Sequence, residues 1–404
     1  MELTKTQRRK RISTMLFGAF AIFFTGYPHI WSVYQPYVME MAGWSQVEAS
    51  FCFYLALGTF VFGNIVGGRI QDRYNPKIVI LIGGGIFTVG ILASAFLIVP
   101  SPLPLYFTYG LMQGFGQGMI YITIISTVQK WFPDKTGFAS GVVVTANGLC
   151  GFFLAPASKT LLEIGGPKLA FLIIGAGIAM SWVLCSIFFY QPEISDTASV
   201  KIDHSVTRQY TTGEMVRTRK FYLLLATMLF GLISYFLISP VSQTHQIALG
   251  ISSEIAVASV MAGSIVNASA RLALPSISDK IGRFSCIKGV LIVCVVAMGI
   301  MGFSKSGLVT AAVVLIYGCY GGIMGTFPSF TSSIFGMKHA GENYGYVMIG
   351  IVIATIGAPI ISEAVTLWRG SIQQVFIIGM VFAGIAFLCL LFLQKELRKN
   401  NECT

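Results

Sequence analysis

The stretch Gly68-Arg-Ile-Gln-Asp-Arg-Tyr-Asn-Pro-Lys77, followed at once by Ile78-Val-Ile-Leu-Ile-Gly-Gly-Gly85, decides the architecture. It is a short knot of charge between two long apolar runs, residues 46–71 and 77–98. Each run is about 20 residues or longer, enough to cross ~30 Å of hydrocarbon at 1.5 Å per residue. Neither Ile78–Gly85 nor Val381–Leu393 alternates polar with apolar residues, which argues against a β-barrel. In lipid a helix is favoured because its backbone groups bond within the segment.

Working outward, the same pattern recurs along the chain. Spans are predicted at 13–38, 46–71, 77–98, 103–130, 137–164, 168–190, 219–247, 252–278, 285–304, 308–335, 342–367 and 372–394. The fold class is therefore an all-α membrane protein of twelve transmembrane helices. Composition agrees: of 404 residues 55% are hydrophobic and 11% charged, with a mean hydropathy of +0.76. A soluble domain carries about 25% charged residues, so this chain cannot cover itself with a solvated surface.

The formal net charge of +11 invites a nucleic-acid partner, but its distribution excludes one. Lys5, Arg8, Arg9, Lys10 and Arg11 precede the first span. Arg69, Arg73 and Lys77 surround the second-to-third loop, and Lys130 and Lys135 the fourth-to-fifth. Lys201, Arg208, Arg217, Arg219 and Lys220 follow in the central loop. Lys280, Arg283 and Lys288, then Lys338, then Lys395, Arg398 and Lys399 complete the same side. Lys168, Lys305, Arg369 and Lys159 fall opposite. Basic residues gather in cytoplasmic loops, so both termini are expected inside a plasma or inner membrane. The first apolar run is too long for a signal-peptide core and reads as a retained helix. The eight cysteines (Cys52, Cys150, Cys185, Cys286, Cys294, Cys319, Cys389, Cys403) show no metal spacing and read as reduced packing residues. No metal or cofactor is expected.

Residues 191–217 are the one long polar stretch inside the chain. They divide it into a six-helix half at 1–190, a central cytoplasmic loop, and a second six-helix half at 218–404. Internal similarity supports the division. Thr14-Met-Leu-Phe-Gly18 recurs as Thr227-Met-Leu-Phe-Gly231. Asp72-Arg73 recurs 207 residues later as Asp279-Lys280. Tyr109-Gly110, Lys130, Asp134 and Gly137 recur at an offset of 208 as Tyr317-Gly318, Lys338, Glu342 and Gly345. Similarity among apolar helices does not explain repeated charged loop residues. Two parallel, pseudo-symmetric bundles are a transporter arrangement.

Gly68 to Lys77 resembles the loop signature of the major facilitator superfamily, with Asn75 in place of its usual glycine. Gly114-Phe-Gly116-Gln-Gly118-Met-Ile-Tyr121, Lys130-Trp131-Phe-Pro133-Asp134-Lys135-Thr-Gly137 and Ala139-Ser140-Gly141 resemble the oxalate/formate antiporter family within it. Trp31, Tyr34, Phe327-Pro328-Ser329 and Asn343-Tyr344-Gly345 extend that resemblance over essentially the whole chain.

Arg271 is the one clearly intramembrane cation. A charge at that depth costs at least ~2.5–3.5 kcal/mol. Gly263, Asn267 and Arg271 are spaced by four and share a helix face, while Ile265, Val266 and Leu272 point elsewhere. A guanidinium offers two parallel N–H donors to a carboxylate, and Asn267 adds an amide. The competing reading is an arginine reaching to the headgroups.

The resemblance implies that Arg271 binds the substrate carboxylate. Dicarboxylate carriers of that family pair it with a lysine whose position falls here on Ile351. One buried positive charge balances one negative charge, so a monocarboxylate such as lactate, pyruvate, formate or acetate is expected rather than oxalate. The resemblance adds Tyr121, Tyr320, Trp31 and Tyr34 as substrate contacts, with His29 at a polar position beside the last two. For each aromatic the competing reading is packing or an interfacial belt.

Asp72, Arg73, Asp134, Asp279, Lys280 and Glu342 are expected to latch a cytoplasmic gate or to set topology. The glycines of the fourth and fifth spans, Gly114, Gly116, Gly118, Gly141, Gly148 and Gly151, are expected to permit close helix packing. Coupling to a proton could use His29, His245 or the substrate's own proton; exchange of one anion for another needs none of these. The expected function is alternating-access transport of a small organic anion by a monomer in the bilayer. The alternatives are a carrier of another small anion or neutral solute, and a non-transporting solute sensor. No catalytic constellation is present in the sequence, so no enzyme is expected.

Overall fold

The computed structural model describes residues 4–192, 208–239, 241–304, 307–369 and 371–399. Lys201, Lys305, Cys403 and the Arg369 side chain lie outside the described set. All regular structure among the described residues is helical.

The helices are α1 (Lys5–Phe24), a 3₁₀ turn (Tyr27–Ile30), α2 (Trp31–Ala42), α3 (Gln46–Arg73) and α4 (Pro76–Ser94). After α5 (Leu103–Leu105) comes a π-helical turn (Tyr106–Gln113), then α6 (Gly114–Trp131) and α7 (Thr136–Phe188). The remainder comprises α8 (Thr212–Met215), α9 (Arg219–Ile238), α10 (Ser242–Ala248), α11 (Ser253–Ile281) and α12 (Arg283–Phe303). It ends with α13 (Leu308–Phe335), α14 (Ala340–Val347), α15 (Ile349–Arg369) and α16 (Ile372–Lys399).

Ten described stretches are long and apolar enough to cross a membrane. One of them, the 53-residue α7, leaves helical geometry at Gly165 and Gly166 just before Pro167, so it makes two passes. The path from Leu103 to Trp131 is a further pass whose helix changes type at Gln113. That yields the expected twelve.

Helix starts follow local chemistry. Ser45 and Glu48 form the capping box that their spacing suggests, each side chain bonding the other's backbone N–H. Asn75, the residue that departs from the family's glycine, accepts a hydrogen bond from the Lys77 N–H and caps α4, with Pro76 in the first turn. Thr218 and Ser252 cap α9 and α11 in the same way.

Three expected spans are discontinuous: the eleventh breaks at Met348, between α14 and α15. The first breaks between Phe24 and Trp31, where Gly26 and Pro28 interrupt the run. The seventh breaks after Ile238 and resumes at Ser242. Thr14 and Thr227, the repeat partners, precede their respective breaks by nearly the same distance, so the interruption is repeated along with the sequence.

The chain packs as two compact units. One holds Met1–Asp203 together with Met337–Tyr346; the other holds His204–Gly336 and Val347–Thr404. Ten residues between α13 and α15 thus pack with the first unit, although the chain on either side belongs to the second.

Candidate functional site

In the second unit, α11 brings Asn267 and Arg271 onto one face by their four-residue spacing. Met261 and Ile265 are well exposed on the opposite side, as the apolar positions of a lipid-facing stripe should be. Arg271 is only 4% exposed. Its Nε donates to Asn267 Oδ1 at 3.1 Å, so the side chain turns back along the helix rather than towards the helix end at Ile281. That direction is opposite to the one a headgroup-seeking arginine would take.

Helix α13 supplies the floor. The Arg271 guanidinium carbon lies 5.6 Å from the Tyr320 ring centroid, within cation–π range. The backbones of α11 and α13 approach closely because α13 carries glycines at the crossing. A Cβ on Gly325 would stand 2.6 Å from the Arg271 carbonyl oxygen, and one on Gly321 would collide with the Asn267 carbonyl. Small residues at a helix crossing allow this approach. The glycines singled out in the sequence were those of the fourth and fifth spans. Of these, Gly114, Gly116 and Gly118 do lie against neighbouring backbone, whereas this second crossing was missed.

In the first unit, Trp31 and Tyr34 are buried with their polar atoms engaged. The Trp31 Nε1–H donates to the Ala49 carbonyl at 2.9 Å, and the Tyr34 hydroxyl donates to Ser158 Oγ at 3.1 Å. Around them stand Tyr27, at 5.6 Å from Tyr34, and Tyr109, at 4.4 Å from Trp31 between ring centroids. Tyr27 lies on the 3₁₀ turn and Tyr109 on the π-helical turn, so two irregular backbone segments converge on one aromatic cluster. Neither Tyr27 nor Tyr109 was proposed from sequence; the Gly26-Tyr-Pro28 interruption was the available signal. Tyr121 is buried against Phe60 at 5.2 Å, and His29 is exposed near Phe53 at 6.4 Å. The seven candidate contacts therefore divide: Asn267, Arg271 and Tyr320 meet in the second unit, and Trp31 and Tyr34 share a cluster in the first.

The charged candidates also sort themselves. The Asp72 side chain is 1% exposed and accepts from Lys130 Nζ at 3.2 Å, Gln71 Nε2 at 2.7 Å and the Glu342 backbone N–H at 3.1 Å. Arg69 approaches the Glu342 carboxylate at 3.9 Å. The backbones meet because Gly68 lies directly against Gly341, where any Cβ would collide. Asp134 pairs with Arg11 at 3.5 Å, and Asp279 with Arg283 at 3.3 Å. Arg73 and Lys280 are exposed. Asp72, Lys130, Arg69 and Glu342 thus form one network within the first unit, and Lys130 and Arg69 are not among the gate residues expected from the sequence.

The family model of the Major Facilitator Superfamily matches residues 15–354. The uncharacterized MFS-type transporter YhjX of Escherichia coli (strain K12) is 27% identical, with 86% of this chain and 87% of that protein aligned. The oxalate:formate antiporter of Oxalobacter formigenes is 24% identical over 90% of this chain and 86% of its own. Human monocarboxylate transporter 11 is 32% identical over a shorter region, 30% of this chain and 26% of that protein. Among solved structures, the transporter FucP superposes with a TM-score of 0.70 over 95% of this chain and 99% of its own, at 14% identity. That last likeness is one of fold.

Proposed function

The chain belongs to the Major Facilitator Superfamily, a family of membrane carriers rather than enzymes, and from that premise we propose that it transports a small monocarboxylate anion by alternating access. The observation that carries this reading is Arg271, 4% exposed inside an apolar span, tied to Asn267 and set over Tyr320. A cation kept in such a place costs several kcal/mol unless it serves an anion. Its guanidinium presents parallel donors that match a carboxylate. Where the dicarboxylate carriers have a lysine, this chain has the buried Ile351, so a second carboxylate would find no counter-charge at that position. Relatives named for oxalate and formate and for monocarboxylates support the substrate class.

The candidate roles of the other residues follow. Asn267 orients the guanidinium and Tyr320 forms its aromatic floor. Tyr121, His29, Trp31 and Tyr34, which lie in the first unit, are proposed substrate contacts. Asp72, Asp134, Asp279 and Glu342, with the exposed Arg73 and Lys280, are proposed gate residues. Coupling is by proton symport or by anion exchange. An empty guanidinium in a buried site disfavours return without cargo, which suits an exchanger. The proposed topology has both termini cytoplasmic, since basic residues crowd the two ends of the chain. The chain works as a monomer of two halves, 1–190 and 218–404.

The test is uptake of radiolabelled lactate, pyruvate, formate and oxalate into proteoliposomes, with and without a pH gradient. Uptake of a monocarboxylate in preference to oxalate is expected. Gradient dependence identifies symport, and acceleration by internal anion identifies exchange. Oxalate uptake as strong as that of every monocarboxylate overturns the reading.

A further inference from the structure

Beneath Tyr320 lies a second ring. Tyr235 of α9 stacks on Tyr320 with centroids 4.0 Å apart and planes 18° from parallel. Tyr317, one turn before Tyr320 on α13, meets the edge of Tyr235 at 5.0 Å and 76°. Phe236 closes the Tyr320 edge at 5.9 Å and 78°. Tyr320 thus touches both the guanidinium and the Tyr235 ring, with Tyr317 and Phe236 set edge-on to the stack.

Such a stack leaves Tyr320 little rotational freedom. A ring in contact with a cation and stacked on a second ring cannot tilt without disturbing both contacts, and its tilt bears on where the guanidinium rests. Asn267 holds the same guanidinium at Nε from the side. Two constraints from two directions, the amide in plane and the ring below, define the orientation of the carboxylate-binding fork. Removing the lower ring frees Tyr320 and loosens one of them.

Tyr235 is also placed to report on its own helix. It lies three residues before the end of α9, and its carbonyl accepts the Ser239 N–H at 2.8 Å. The break in the seventh span starts there, so the ring under Tyr320 is anchored at a discontinuous helix. Irregular helix within a membrane is a recurrent feature of binding regions in carriers.

We propose that Tyr235 is a positioning residue for substrate affinity, holding Tyr320 flat under Arg271 so that the guanidinium fork is preset for a carboxylate. The inference rests on the monocarboxylate reading of Arg271. Its chemistry resides in the aromatic ring, and the hydroxyl is secondary. Preorganisation of this kind strengthens binding without changing the conformational step that limits turnover.

The experiment measures concentration dependence of monocarboxylate uptake in proteoliposomes for wild type, Tyr235→Phe, Tyr235→Leu and Tyr235→Met, with Arg271→Ala alongside. Tyr235→Phe keeps the stack and is expected to stay within about twofold of the wild-type KM. Tyr235→Leu and Tyr235→Met remove the ring and are expected to raise KM about three- to tenfold at unchanged maximal rate per folded transporter. A role confined to packing would lower the melting temperature and the yield of folded protein, leaving KM where it was. If one ringless variant does not fold, the other carries the comparison. Wild-type KM in a ringless variant overturns the proposal while Arg271→Ala remains inactive. Transport by Arg271→Ala would instead overturn the Arg271 reading, and this inference with it.

Discussion

Arg271 donates from Nε to Asn267 Oδ1 at 3.1 Å, one turn back along the same helix. The bond settles which way a buried cation faces: towards the middle of its span, over an aromatic ring, and away from the span's charged end. Predictions for the site start from this pair.

Asn267→Ala removes the acceptor and leaves the guanidinium held only by its other contacts. A hydrogen bond to a charged group contributes about 1.5–3 kcal/mol, so the KM for monocarboxylate should rise about tenfold or more. Arg271→Lys keeps the charge and loses the fork, and should lose affinity more severely than Asn267→Ala. Uptake kinetics of the two variants check this order.

Ile351→Lys places a second cation at the position that distinguishes the dicarboxylate carriers. The ratio of oxalate to formate uptake should rise about tenfold or more. Folded yield should fall, because a buried lysine costs at least ~2.5–3.5 kcal/mol in a span when no dianion is bound. Competition uptake with both substrates measures the ratio, and oxalate in the medium should raise the variant's melting temperature more than the wild type's.

Asp72→Asn removes a charge that accepts from Lys130, Gln71 and the Glu342 N–H. The loss should be about 1–3 kcal/mol and should be local. Hydrogen exchange at the Glu342 amide should quicken, while the amides around Tyr320 in the second unit stay as they were. Equal acceleration in both places would contradict a network confined to the first unit.

Gly325→Val should lower the melting temperature, since even a Cβ would press on the Arg271 carbonyl oxygen at 2.6 Å. Overpacking of this kind costs about 1–3 kcal/mol. Gly85→Ala is the control, because nothing lies within 4 Å of its Cβ position. Thermal denaturation of both in detergent tests the difference.

The helical spans were legible because lipid imposes a single requirement, a long run of apolar residues. Ser45 with Glu48 was legible because a capping box is local. Arg271 stood out as a lone charge in an apolar helix, and its side chain is buried. Other features depend on contacts between distant segments. Asp72 and Glu342 were named separately, but nothing in either neighbourhood shows that one accepts the other's N–H across 270 residues. Tyr235 was one tyrosine among 16, and its stacking on Tyr320 requires knowing that α9 and α13 are neighbours. The helix breaks had a signal in Gly26 and Pro28, but proline inside a span is common enough that the run was read as continuous. Asn75, which stands in place of the loop motif's usual glycine, is a helix cap.

The central claim is that Arg271 holds the carboxylate of a single-charged substrate. Its most direct test is radiolabelled monocarboxylate uptake by Arg271→Ala in proteoliposomes, at matched amounts of folded protein. Uptake is expected to fall to the level of empty liposomes, with a melting temperature close to or above that of wild type. Uptake equal to wild type would contradict it, and would make Arg271 a structural cation in a carrier of some other solute.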